Sequence, residues 1–104
     1  MNYYYRPFPP VDPTVFQESA NKELALLNDV RVVLEKISTS SQYSADIMKA
    51  AQESNQTQIE KLVRSSGVKK IPAITYTPDG LRIKFTDSTN GMECCHLAVK
   101  LRWR

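Results

Sequence analysis

Residues 81–103 read LRIKFTDSTNGMECCHLAVKLRW, and the period of this stretch decides the fold. Leu81, Ile83 and Phe85 alternate with Arg82, Lys84 and Thr86. Cys95, Leu97, Val99, Leu101 and Trp103 alternate with Cys94, His96, Ala98, Lys100 and Arg102. Side chains of a strand point to opposite faces in turn, so each run has one apolar and one polar face. The two runs therefore predict paired strands with an apolar face packed on the rest of the chain. A basic face is left open. Ser88-Thr89-Asn90-Gly91 carries the turn chemistry to connect them.

Immediately before it, IPAITYT (71–77) is a third β-type run, joined to Leu81 by Pro78-Asp79-Gly80, a good tight-turn sequence. The expectation over 68–104 is a three-stranded antiparallel meander.

Working back toward the N-terminus, the period lengthens from 2 to 3.6. Asp12-Pro13 suits a helix start, with Asp12 as N-cap and Pro13 at the first helical position. Phe16, Ala20, Leu24, Leu27, Arg31 and Leu34 step by three and four. Leu26, Val30, Val33 and Ile37 form a second stripe beside them. So wide an apolar surface predicts a helix from Pro13 to about Ser38, covered on more than one side. Tyr43, Ile47, Ala50 and Ala51 mark a helix over 42–53. Asn55 and Gln58, ahead of Ile59, Leu62 and Val63, resemble a capping box opening another over 56–66. Gly67 is placed to end it. One long helix through Asn55 is the competing reading. The expected architecture is α+β: two or three helices within 12–67 packed on one face of the meander, as one domain over 12–104.

Residues 1–11 differ in kind. Pro7, Pro9 and Pro10 remove backbone donors and fix φ, so an extended arm is expected, made adhesive by Tyr3, Tyr4, Tyr5 and Phe8. Packing on its own helices and packing on a neighbouring chain are both open. The start lacks the basic, apolar and small-residue regions of a signal peptide, and no apolar run approaches membrane-spanning length. Synthesis and retention on the cytosolic side are expected.

The 104 residues carry 14 basic and 11 acidic side chains, a net charge of +3. All of the excess positive charge falls after residue 67. It gathers on the open strand face as Arg82, Lys84, His96, Lys100 and Arg102, a candidate surface for an acidic partner or simply a solvated face. RNA-binding sheets also carry basic residues, but they stack bases on aromatic residues of the open face. Here Phe85 and Trp103 fall on the apolar side, which disfavours nucleic acid.

Two cysteines and one histidine offer little catalytic chemistry. A thiol nucleophile needs a base, an orienting group and an oxyanion site, and alternation supplies only Cys94 and His96 on one face. A structural zinc site wants about four ligands. Glycines are too few and isolated to cradle a phosphate. No enzyme activity, metal or cofactor is expected. Cys95 reads as a small buried hydrophobe and Cys94 as an open-face thiol, which Lys100 and Arg82 would favour as a thiolate.

Taken in order, YYYRPFPPVDPTVF, IMKAAQESNQTQIEKLVRSSGV, YTPDGL and ECCHLAVKLRW resemble the Bacillus-type inner spore coat proteins similar to YuzC, over nearly the whole chain. The resemblance implies sporulation, a place in the inner coat after cytoplasmic synthesis, and a non-enzymatic structural role among other coat proteins. It carries over no site residues. Tyr3, Tyr4, Tyr5 and Cys94 are the groups that cross-linking or association would use. The alternative function is a small binding or regulatory module whose basic sheet face takes an acidic partner such as RNA.

Overall fold

The computed structural model describes residues 10–104. Three helices, α1 (Thr14–Thr39), α2 (Ser41–Gln52) and α3 (Gln56–Ser65), precede strands β1 (Ala73–Thr77), β2 (Gly80–Thr89) and β3 (Met92–Arg102). The strands pair antiparallel in the order β1-β2-β3, an α+β arrangement with an open meander. The arm residues Tyr3, Tyr4, Tyr5 and Phe8 lie outside the described residues.

Helix boundaries follow local chemistry. Pro13 rather than Asp12 is the N-cap of α1, one residue later than expected. Asp12 still serves that end: its Oδ1 accepts the Thr14 N–H at 3.0 Å and the Thr14 hydroxyl at 2.7 Å. Those bonds hold its carboxyl below the usual range. Ser40 caps α2 by accepting from Tyr43 N. Between α2 and α3 the chain breaks where the sequence implied. Ser54 turns to a left-handed φ of 55°, and Asn55 caps α3 by accepting from Gln58 N at 3.1 Å.

The apolar faces meet as expected. Leu26, Val30 and Val33 of α1, Tyr43 and Ile47 of α2, Ile59 and Val63 of α3, and Ile74, Leu81, Ile83 and Phe85 of the sheet form one buried core. Within it, the Tyr43 hydroxyl donates to the Leu62 carbonyl at 2.7 Å. Burial also raises the pKa of that phenol. Asp29 is the exception in chemistry: it is 4% exposed, on a helix among apolar neighbours. Its two oxygens accept the backbone N–H groups of Lys69 and Lys70 at 3.1 and 3.3 Å. A buried carboxylate so placed supplies partners for two loop donors on the way into the sheet.

The expectation that α1 is covered on more than one side is corrected. Only its Leu26–Val33 stripe is buried. Val15, Phe16, Leu24 and Leu27 are exposed, Phe16 by 81%. Three strands and two short helices cover one side of the second half of α1, where Leu34 of the other stripe is also half-buried against the core; further toward the N-terminus the described residues leave that stripe exposed.

Both hairpins are tight. Pro78-Asp79 joins β1 to β2, and Asn90-Gly91 joins β2 to β3 with φ of 51° and 79°. Two successive positive φ values give the turn whose twist matches the flanking strands, and Asn-Gly is its preferred sequence. Gly80 is required for a different reason. A Cβ there would sit 2.2 Å from the Leu101 carbonyl oxygen.

Candidate functional site

The open sheet face is built by register. Arg82 stands opposite Lys100, Gly80 opposite Arg102, Lys84 opposite Ala98 and Thr86 opposite His96. Arg82, His96, Lys100 and Arg102 are exposed and Lys84 is half-buried. The structure thus brings all five basic-face residues onto one surface, and β1 extends it with Ala73, Thr75 and Thr77. Like charges directly opposite, as at Arg82 and Lys100, repel. Among the described residues none of Arg82, Lys84, Lys100 and Arg102 forms an ion pair. His96 is the exception, with Nδ1 3.2 Å from a Glu93 oxygen. Among the described residues the strands present no aromatic side chain on this face on which a base could stack.

Cys94 is not on that face, which corrects the alternation. Asp87 pairs with Cys95 and Ser88 with Glu93, so Cys94 is an extra residue in a β-bulge. A bulge lets neighbouring side chains share a side of the sheet. Cys94 and Cys95 are both half-buried free thiols, their sulfurs 2.6 Å apart. Together with Phe16, Ser19 and Glu23 of α1 they line a shallow cleft of about 420 Å³. The bulge is confined to this end: from His96 to Trp103 the alternation holds.

Nor do Lys100 and Arg82 stand near the thiols. The charges there are acidic. Burial, then the Cys94 sulfur beside it, then Glu23 and Asp87 push the Cys95 thiol up to about 12. One Glu23 carboxylate oxygen is buried without a hydrogen-bond partner. Lys22 donates to the Ser88 carbonyl nearby. Lys70 pairs with Asp87 at 2.7 Å and holds that carboxyl below its usual range.

A second concavity escaped the sequence reading. Tyr76 and Trp103 fall on the apolar side of the sheet and pack, half-buried, against the edge of the core, at the end where α2 stops. With Met48, Gln52 and Pro78 they line a cleft of about 560 Å³. Trp103 is fixed by its ring N–H, which donates to the Pro78 carbonyl at 3.2 Å, and by its backbone N–H to Asp79 O. Arg104 closes on Asp79 at 2.8 Å. The hint in the sequence was an aromatic residue, Trp103, at the very end of the last alternating run.

Among the described residues no three His, Cys, Asp or Glu side chains converge so as to hold a metal ion, and no helix is long and apolar enough to cross a membrane. The described chain is thus a small helix-on-sheet protein with an open basic face, shallow clefts and two sheet edges. The family model described as YuzC spore coat inner layer protein matches residues 13–96. The chain belongs to this family of spore coat inner layer proteins, which assigns it to sporulation and to the inner layer of the coat. It is 28% identical over 97 residues to the uncharacterized protein YuzC of Bacillus subtilis (strain 168), covering 93% of this chain and 75% of that one. No solved structure matches it.

Proposed function

We propose that this protein is a non-enzymatic structural component of the inner spore coat that acts by associating with other protein chains. Residues 12–104 serve as the folded unit and the arm, with Tyr3, Tyr4 and Tyr5, as an attachment element. Family membership carries this reading. The molecule's surfaces support it physically: β1 and β3 are both edge strands, which offer backbone groups to a neighbour. The described residues leave the apolar stripe of α1 around Phe16 and Leu24 exposed. Cys94 is the thiol available for a cross-link between chains, because Cys95 holds its proton far above neutral pH.

A fluorescent fusion followed through sporulation tests the role. The fusion is expected to form a shell at the coat, and a signal dispersed through the cell overturns the reading. A second reading rests on the unpaired charges of Arg82, Lys84, Lys100 and Arg102, which suit an acidic partner. Replacing Arg82 and Lys100 by glutamate should then remove coat localisation without unfolding the chain. If binding runs through RNA phosphates instead, affinity falls steeply as salt rises.

A further inference from the structure

We propose that the Tyr76–Trp103 cleft receives the proline-rich arm of a second copy of this chain, so that copies join head to tail. The inference rests on the coat reading for its setting and on geometry for its content. Residues 1–9 lie outside the described structure, and the arm's sequence runs Pro7-Phe8-Pro9-Pro10. A Pro-x-x-Pro segment favours the polyproline II form, and grooves lined by aromatic side chains take such segments at little entropic cost. The cleft is such a groove. Tyr76 and Trp103 are half-buried, and Pro78 and Met48 complete its apolar wall. A smaller hollow of about 230 Å³ adjoins it and shares Met48 and Trp103. At three residues per turn and 3.1 Å per residue, Pro7 and Pro10 would stand about 9 Å apart on one edge.

The chain's own arm cannot make this contact. Helix α1 runs in the same direction as β3: Phe16 lies beside Cys94, and Ile37 lines the hollow beside Trp103. The helix between Phe16 and Ile37 is about 32 Å long at 1.5 Å per residue. Pro10 precedes Phe16 at the far end, where it and Val11 are exposed. Three extended residues from Pro10 back to Pro7 cover about 10 Å. That reach falls well short of the length of the helix, so the occupant is the arm of another copy. A copy that gives its arm to one neighbour and its cleft to another propagates head to tail, whereas a reciprocal exchange of arms would close a pair.

The test uses Trp103, the only tryptophan of the chain, as reporter. A peptide of residues 1–12, titrated into the full-length protein, should change its fluorescence saturably. The same peptide with Pro7→Ala and Pro10→Ala should bind about tenfold more weakly or worse, as should the full chain carrying Gln52→Arg for the native peptide. Gln52 is exposed on the cleft wall, so this substitution leaves the core untouched, and circular dichroism checks the fold. In sedimentation, the unaltered chain should grow with concentration past the dimer. The Pro7→Ala/Pro10→Ala chain and the Gln52→Arg chain should each stay monomeric and together stop at a one-to-one pair. The proposal is overturned by a peptide that leaves Trp103 unperturbed, by a closed dimer indifferent to these substitutions, or by an unrelated proline-rich peptide that binds as well as the chain's own arm. These outcomes are separate from the coat reading: a fusion absent from the coat with the peptide still bound removes that reading and keeps this contact, and the reverse removes only this contact.

Discussion

The two ends of β3 are built from the same alternating sequence and behave differently. At the tryptophan end the alternation is unbroken, the tail is tied to the Pro78-Asp79 turn, and the second half of α1 is packed beside it. At the cysteine end an extra residue bulges the strand, both thiols turn to one side, and the first turns of α1 stand largely bare. Local stability follows buried apolar contact, so the bare end is expected to open at small cost and the core to hold the most stability.

Substitutions should grade along that contrast. Phe85 is 1% exposed in the core layer between the ends, and Phe85→Ala is expected to destabilise by about 3–5 kcal/mol in denaturant unfolding. A loss under 1 kcal/mol would mean that the layer is not packed as described. Asp29→Ala removes the acceptor of the part-buried Lys69 and Lys70 N–H groups and should cost about 1–3 kcal/mol. A loss below about 0.5 kcal/mol would show that the carboxylate is not what satisfies them. Asn55→Ala removes the cap of α3, for an expected loss of about 1 kcal/mol, and a neutral result would favour a continuous helix through Ser54.

The cysteine end responds to pH instead. The folded-state pKa of Cys95 is raised from 9.0 to about 12. Folding therefore favours the protonated thiol. That contribution is fully present below about pH 9 and lost as pH rises through the folded value. Unfolding measured from pH 8 to 11 should steepen in the native chain and flatten in Cys95→Ala, and identical slopes would remove Cys95 from the account. A thiol reagent at pH 8 should by the same logic label Cys94 first. The smallest effect is expected at Phe16: Phe16→Ala should change stability by no more than about 0.5 kcal/mol, because the ring is 81% exposed in the single chain. A larger loss at high protein concentration only would show that another copy covers it.

Most of this architecture was legible because periodicity and capping are local. The switch of period after Gly67, the Asn55 break and the Asn90-Gly91 turn each rest on a few neighbouring residues. The basic face was legible for the same reason, since Arg82, Lys84, Lys100 and Arg102 sit where regular pairing holds. Cys94 was misplaced because a bulge is a property of two strands paired, and nothing in ECCHL marks which residue will be the extra one. Asp29 and the Tyr76–Trp103 cleft were missed because each depends on segments far apart in sequence meeting in space. The bare stripe on α1 was read as covered because an apolar period reports what could be buried and not how many elements are present to bury it.

The two-residue turns also carry a kinetic consequence. Each hairpin closes a very short loop, so the sheet can form early and with little loss of chain entropy. The link from Lys22 to Ser88 joins residues 66 apart in sequence, the slowest kind of contact to close. The first turns of α1 should therefore dock last and detach first, in local openings that leave the sheet intact. Access to the thiol pair would then be timed by the fraying of one helix end, with the rate of Cys95 modification recording how often that end lifts away.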